Sequence, residues 1–127
     1  MPKQKKSKSN PTGSHFHAQR ISELMLDKRA LDIIIIDVRK ITTLTDFFVV
    51  CTSESEPQTR AITNHINLTM KKEGLESWHI EGYQYLDWVL IDHISIVTHI
   101  FSKKAREYYE FERLWADGVI TTVRDKK

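Results

Sequence analysis

Four consecutive isoleucines, Ile33 to Ile36, are the feature that most restricts how this chain can fold. A surface helix brings an apolar side chain to its core face only at every third or fourth residue, so an unbroken run of β-branched residues does not fit one. Asp32 and Asp37 flank the run and limit it to the length of a short strand. The run therefore predicts a strand that is buried on both of its faces.

The rest of the chain predicts one domain in which strands and helices are mixed. A chain of 127 residues has room for a single domain. The predicted elements, in chain order, are a helix over about 15–29, strands over 32–38 and 46–51, a helix between Ser55 and Gly74, strands over 77–81, 88–92 and 95–101, and a last helix that Ser102 caps and Gly118 ends. Ser14 is the predicted cap of the first helix, and Gln58 is expected to complete a capping box with Ser55. This order predicts an α/β, α+β-like class, with a mixed five-stranded sheet and helices mainly on one face.

Both ends of the chain are expected to lie outside this domain, which we assign to residues 14–120. Residues 1–13 are predicted to be a disordered basic tail, and residues 121–127 a flexible C-terminal tail. Four lysines in the first tail exceed the net charge of +2, so the remainder of the chain is net acidic. The tail is interpreted as a solvated end, or as a source of weak, salt-sensitive attraction to RNA, and its lysines are Lys3, Lys5, Lys6 and Lys8.

Apolar runs and cysteine usage indicate where the protein resides. No apolar run approaches the roughly 20 residues that a membrane helix needs. Cys51 is the single cysteine, so no disulfide can form within the chain. We therefore expect a soluble protein of the cytoplasm or of an organelle matrix, without a membrane partner.

Metal and thiol chemistry find little support in the sequence. There are six histidines, but they do not form an H-E-x-x-H motif, and no cysteine pair accompanies them. We expect neither a metal nor a cofactor. Cys51 ends a predicted strand among apolar residues and is interpreted as a small buried hydrophobe. A reactive thiol is the alternative, because the helix predicted near Ser55 begins close by.

Nucleotidyl transfer is the enzymatic alternative, because the order of elements is similar to nucleotidyltransferase-like folds. That chemistry needs a glycine-containing phosphate loop and closely spaced carboxylates for Mg²⁺. The segment 51–55 contains no glycine. Asp32 and Asp37 are five residues apart, as are Asp87 and Asp92, so each pair points to opposite faces of its strand. The pattern disfavours catalysis, and a divergent enzyme that binds nucleotide and Mg²⁺ is kept as the alternative.

One face of the predicted sheet has the composition of a protein-binding site. Alternation along the strands separates Val89 and Ile91, which are expected to face the helices, from their neighbours. The side chains predicted to share the opposite face are Trp88, Leu90, Asp92, His99 and Phe101. Aromatic anchors with a few polar groups are typical of interaction hot spots. The alternative is that Trp88 is simply part of the core.

Three segments of the chain resemble the Iojap-like ribosomal silencing factor family over about residues 15–120. They are DIIIIDVRKITTLTDFFVVCTSESEPQTRAI, WHIEGYQYLDWVLIDHISIVTHIF and AREYYEFERLWADG. The resemblance implies a nucleotidyltransferase-like fold that has lost transferase catalysis. It also implies a protein that binds the large ribosomal subunit through ribosomal protein number fourteen, at the intersubunit face. Such binding blocks joining of the small subunit and represses translation when nutrients are scarce. A homodimer is implied as a candidate assembly.

The resemblance also implies which residues dock. Trp88, Asp92 and His99 match the family's docking positions, and Glu81 and the Tyr83 region are expected nearby. Arg106 matches a family position on the last helix, where Tyr109 and Trp115 are expected to anchor that helix to the core. The full predicted partner-binding set is Trp88, Asp92, His99, Glu81, Tyr83, Leu90, Phe101 and Arg106.

Two departures from the family pattern affect loops of the predicted site. Ser53 stands where the family usually has glycine, after the second strand. Ile94-Ser95 stands where the family favours a Gly-Asp turn. We therefore expect the loop after the second strand and the hairpin beside Asp92 to differ in shape from the family pattern.

Overall fold

The structure is a computed structural model that describes residues 13–124, so most of the predicted basic tail lies outside the described residues. Its elements, in chain order, are α1 (Ser14–Asp27), β1 (Leu31–Asp37), β2 (Phe47–Ser53), α2 (Glu56–Lys72), β3 (His79–Glu81), β4 (Trp88–Asp92), β5 (Ile96–Ser102), α3 (Lys103–Tyr109), α4 (Phe111–Leu114) and β6 (Val119–Val123). This arrangement confirms the predicted fold class, a single domain with mixed strands and helices.

The strands form one sheet in the order β3-β4-β5-β2-β1-β6. The pair β2 and β5 is parallel, and every other neighbouring pair is antiparallel. The isoleucine run lies in β1 next to β2, where Ile34 is the partner of Val50. All four isoleucines are buried, which confirms the strand predicted from them.

The sixth strand corrects the predicted five-stranded sheet and, for residues 121–123, the predicted flexible tail, of which residues 125–127 lie outside the described residues. Val119–Val123 pairs antiparallel with β1. Gly118 permits this approach, because a Cβ at that position would lie 2.7 Å from the Ile36 side chain and 2.9 Å from the Asp37 carbonyl oxygen. β6 is an edge strand whose side chains are mostly exposed. It therefore lacks the buried pattern by which strands are predicted from sequence.

Helices cover the two faces of the sheet unequally. The long helices α1 and α2 cover one face, as predicted, and they enclose the larger of two apolar cores. The short helices α3 and α4 cover part of the other face, over a second core. They were predicted as one helix. Glu110 separates them, because its backbone is left-handed (φ +49°) and ends α3.

Helix starts follow the predicted capping chemistry in two places of three. Ser55 accepts a hydrogen bond from the Gln58 backbone N–H, although the Gln58 side chain accepts from the residue before Ser55 and so varies the expected capping box. Ser102 caps α3 in the same manner. The prediction for Ser14 is wrong. Ser14 is the first residue of α1, and its hydroxyl donates to the Asp46 carboxylate at 2.8 Å.

The side chains of His93 and His99 are buried in the domain, and burial disfavours their protonated form. Burial lowers the pKa of His99 to about 3. Burial also lowers the pKa of His93 to about 4, where nearby Asp92 opposes the shift and His17 of α1 adds to it. Both side chains are therefore neutral in the folded protein near pH 7.

These buried histidines predict that the protein loses stability in mild acid. An unfolded histidine takes up a proton below a pH of about 6.5, whereas folded His99 stays neutral down to about pH 3. Stability is thus fully present above that unfolded pKa and falls as the pH drops below it. For His99 alone, the free energy of unfolding should fall by about 1.4 kcal/mol between pH 7.5 and 5.5. Chemical denaturation at the two pH values measures this loss.

The control is His99→Gln, which removes the titrating group. Its own stability will differ from that of the wild type, but its loss between the two pH values should be smaller by about 1.4 kcal/mol. An equal loss in the variant and the wild type would show that His99 is protonated in the folded state.

Candidate protein-docking groove

The sheet face beneath α3 and α4 is only partly covered, and a groove of about 690 Å³ opens beside these helices. It lies over β3, β4 and β5, and the loop 38–46 forms one wall. We call it the docking groove. Its lining residues are Leu44, Thr45, Phe48, Trp78, His79, Glu81, Leu90, Asp92, Ile94, Val97, His99, Phe111 and Trp115.

Three large apolar side chains stand exposed along the docking groove. Leu44 is 82% exposed, Trp78 is 70% exposed and Ile94 is 64% exposed. They come from three separate parts of the chain, since Trp78 precedes β3, Leu44 lies in the loop 38–46 and Ile94 lies in the β4–β5 hairpin. The Trp78 backbone N–H donates to the Asp92 carbonyl at 2.7 Å, which holds the indole beside this hairpin. Contiguous exposed apolar groups mark a surface that another molecule can cover.

The charges along the docking groove are acidic. Glu81 and Asp92 line it, and no lysine or arginine does so among residues 13–124. Glu81 is hydrogen-bonded to the His79 ring at 2.7 Å. Asp92 accepts a hydrogen bond from the Ile94 backbone N–H at 2.7 Å. The groove therefore offers negative charge beside an apolar surface.

Aromatic side chains form the floor of the docking groove and the core beneath it. We call the set the aromatic layer, and its members are Phe48, Trp88, His99, Phe101, Phe111 and Trp115. Phe111 and Trp115 belong to the segment around α4, and both pack edge-on against Phe48. The predicted anchoring of the last helix by Trp115 is thus confirmed. Tyr109 likewise packs against Trp88, with 4.8 Å between the ring centroids.

A hydrogen bond inside the aromatic layer sets the orientation of His99. The Trp88 indole N–H donates to His99 Nδ1 at 3.0 Å. Because an indole nitrogen can only donate, Nδ1 must accept, and the neutral ring carries its proton on Nε2. The Nε2 atom is buried and has no hydrogen-bond partner among the described residues. The Phe111 ring packs against the His99 ring, with 4.3 Å between the ring centroids.

The residues predicted to share a sheet face do so. Trp88 pairs with Phe101 across β4 and β5, and Leu90 pairs with His99. Leu90, Asp92 and His99 line the docking groove, together with Glu81 from β3. Trp88 and Phe101 lie under α3 and α4 instead, and Phe101 is 0% exposed. Phe101 therefore cannot touch a partner in this conformation, and contact by the others stays a prediction.

Tyr83 and Arg106 lie apart from the docking groove. Tyr83 packs against the larger core on the face of α1 and α2, and its hydroxyl accepts from the Asn64 amide at 3.2 Å. The Arg106 guanidinium donates to the Asp32 carbonyl at 2.7 Å and to the Thr52 hydroxyl at 2.9 Å, and it forms an ion pair with a carboxylate of α4. Arg106 thus joins β1, β2 and the last helices, which is a structural role.

Sequence reasoning missed the most exposed apolar residues of the docking groove. Leu44 follows a pair of threonines in a loop and Ile94 lies in a turn, where strand alternation gives no information. Trp78 falls inside the strand predicted over 77–81, but β3 begins only at His79, so alternation could not place the indole. The available signal was the type of residue itself, because large apolar side chains in polar connections need an explanation.

The described part of the chain shows no arrangement of side chains that would support the metal or thiol chemistry considered above. No group of three or more His, Cys, Asp or Glu side chains there is placed to hold a metal ion. Asp37 forms an ion pair with Arg39, with 2.7 Å between the carboxylate oxygen and the guanidinium nitrogen. Cys51 is fully buried, and burial raises its pKa to about 12, which confirms its interpretation as a buried hydrophobe. None of the helices over residues 13–124 has the length and apolar character that crossing a membrane requires.

The chain is similar to a set of bacterial and organellar proteins. Ribosomal silencing factor RsfS of Bacillus subtilis is 37% identical over 92 residues, which cover 72% of this chain and 78% of that protein. Mitochondrial assembly of ribosomal large subunit protein 1 of Mus musculus is 30% identical over 106 residues, which cover 81% of this chain and 46% of that protein. A crystal structure of a Chromobacterium violaceum protein superposes with a TM-score of 0.81 at 30% identity, over 83% of this chain and 88% of that one.

A family model gives the same result over almost the entire sequence. The model described as "Ribosomal silencing factor during starvation" matches residues 11–127. This range includes every helix and strand of the fold and every residue that lines the docking groove. The chain therefore belongs to the ribosomal silencing factor family.

Proposed function

We propose that the chain binds the large ribosomal subunit through the docking groove and thereby prevents the small subunit from joining. The proposed contact is ribosomal protein number fourteen of the large subunit, at the intersubunit face. Repression of translation under nutrient limitation would follow, and no catalysis would be needed. One observation carries the proposal, the exposed apolar rim of an acidic groove on the sheet face that α3 and α4 leave open.

The composition of the docking groove favours a protein partner over nucleic acid. Leu44, Trp78 and Ile94 offer apolar and aromatic anchors of the kind that dominate protein interfaces. Glu81 and Asp92 would repel the phosphates of RNA but attract the lysines and arginines of a basic protein. Ribosomal proteins of the subunit interior and interface are exposed to RNA and need such basic side chains. The groove thus suits a ribosomal protein surface.

The proposed mechanism is steric competition. A rigid domain that occupies a surface needed by the small subunit requires affinity and position, and no chemical step. A dissociation constant near 1 μM corresponds to about 8 kcal/mol, which a few buried anchors can supply. Rigidity comes from the sheet and the aromatic layer beneath the groove.

Further parts of the proposal rest on the sequence and on family membership. We propose that the lysine tail adds a weak contact with ribosomal RNA, through Lys3, Lys5, Lys6 and Lys8. A cytoplasmic location and a homodimer are also expected. Both stay predictions.

Charge placed on the rim of the docking groove should weaken binding to the large subunit. Leu44→Asp puts a carboxylate into an apolar contact of a groove that two carboxylates already line, and should weaken binding by tenfold or more, roughly the effect of losing one anchor. Leu68→Asp is the matched control. Leu68 is 58% exposed on α2, which lies on the opposite sheet face, and its replacement should leave binding unchanged.

Co-sedimentation with isolated large subunits, small subunits and assembled ribosomes measures the effect. The wild type and Leu68→Asp should pellet with large subunits alone, while folded Leu44→Asp stays in the supernatant. Equal binding by the two variants would place the contact outside the docking groove. Binding of the wild type to small subunits or assembled ribosomes would contradict the proposed mechanism.

Removal of residues 1–12 should distinguish the contribution of the tail to binding from that of the folded domain. If the lysines touch RNA, the shortened chain binds large subunits severalfold more weakly at low salt, and its affinity depends less on salt concentration. Binding titrations at several salt concentrations measure the slope. An unchanged slope would remove the tail from the interface, and a complete loss of specific binding would make the tail the principal contact.

A further inference from the structure

The turn between β4 and β5 places a bulky residue in a strained backbone conformation. Ile94 has a φ of +74°, and the Ser95 N–H donates to the His93 carbonyl at 2.9 Å. A hydrogen bond between residues two apart, around a central residue with positive φ, defines the rarer and more strained form of the γ-turn. A β-branched side chain is the least suited to this region, because its Cβ crowds the backbone.

Hydrogen bonds to Asp92 and Ser95, and the burial of His93, hold this turn in place. Ile94 donates its backbone N–H to the Asp92 carboxylate at 2.7 Å. The Ser95 carbonyl accepts from the backbone N–H groups of Asp46 and Phe47, which fixes the hairpin to the start of β2. His93 is buried. The surrounding structure therefore determines the strained conformation, and Ile94 cannot relax without breaking these contacts.

The fold gains nothing visible from isoleucine at this position. The Ile94 side chain is 64% exposed, so it contributes little to either core. Glycine would adopt the same φ without the crowding of a Cβ. The strain therefore lowers stability without an offsetting gain from burial, and strain of this kind concentrates at functional sites. The location supports that interpretation, because Ile94 lines the docking groove beside Asp92.

We infer that Ile94 is a specificity anchor, which inserts into an apolar recess on the large-subunit protein that covers the docking groove. This inference rests on the proposed function and names the chemistry of the partner. The recess must be large enough for a branched aliphatic side chain. A lysine or arginine at its edge would reach Asp92, whose second carboxylate oxygen is not used by the turn. An RNA surface offers no such recess, since its accessible groups are phosphates, sugars and base edges.

Ile94→Gly tests the inference, because it should move stability and binding in opposite directions. Relief of strain should raise the melting temperature by about 2–4 °C. Loss of the anchor should weaken binding to isolated large subunits by tenfold or more, roughly the effect of an interface hot spot. A residue with a purely structural role would move both quantities in the same direction. The measurements are thermal unfolding and a binding titration with purified large subunits.

Two further variants separate strain from side-chain chemistry. Ile94→Val keeps the β-branch and the positive φ, and should resemble the wild type in stability and bind within a few-fold of it. Ile94→Asn tolerates a positive φ but is polar, and should resemble Ile94→Gly in both measurements. Agreement of Asn with Gly, and of Val with the wild type, assigns the binding effect to the apolar side chain.

The outcomes distinguish this inference from the proposed function. Wild-type protein that fails to bind large subunits overturns both. Wild-type protein that binds, with Ile94→Gly binding equally well, overturns the anchor and leaves the proposed function in place. Melting temperatures below that of the wild type for both Ile94→Gly and Ile94→Asn would show that the turn is not strained, and would also overturn the inference.

Discussion

The central strands β1 and β2 are apolar on both faces, and this constraint determines the rest of the structure. Each face of the sheet must be covered, since burial of these isoleucine, valine and phenylalanine side chains is the main source of stability. The chain supplies two long helices for one face and only the short α3 and α4 for the other. The second face is therefore covered only in part. The docking groove lies where α3 and α4 leave it open, mainly over β3, β4 and β5.

The aromatic layer turns that incomplete cover into a firm surface. Large rings fill the space under the short helices, and the Trp88–His99 hydrogen bond satisfies the indole without water. Trp88 was expected to be either an anchor or a core residue; it supports this surface by packing under α3 and α4, and its contact with a partner stays a prediction. The groups free to meet a partner lie farther out, on the loop 38–46 and in the β4–β5 hairpin. Of these groups, Ile94 lowers the stability of the fold the most, because its backbone is strained and its exposed side chain gains little from burial.

Sequence patterns predicted the parts of the fold that depend on periodic burial or on capping. The isoleucine strand, the Ser55 cap and the shared face of Leu90 and His99 all follow from side-chain alternation or local hydrogen bonding. β6 was missed because an edge strand has no buried pattern. The break at Glu110 was missed because a left-handed glutamate leaves no local signal. The rim of the docking groove was missed for a related reason, since exposure in loops is decided by tertiary packing.

Hydrogen exchange of the wild-type chain, alone and with isolated large subunits, tests the central claim most directly. If the docking groove is the contact, binding should slow exchange in the segments 42–46, 78–81 and 92–97. Exchange in α1 and α2, which lie on the opposite face, should not change. Protection confined to α1 and α2, with unaltered exchange around Leu44, Trp78 and Ile94, would contradict the account.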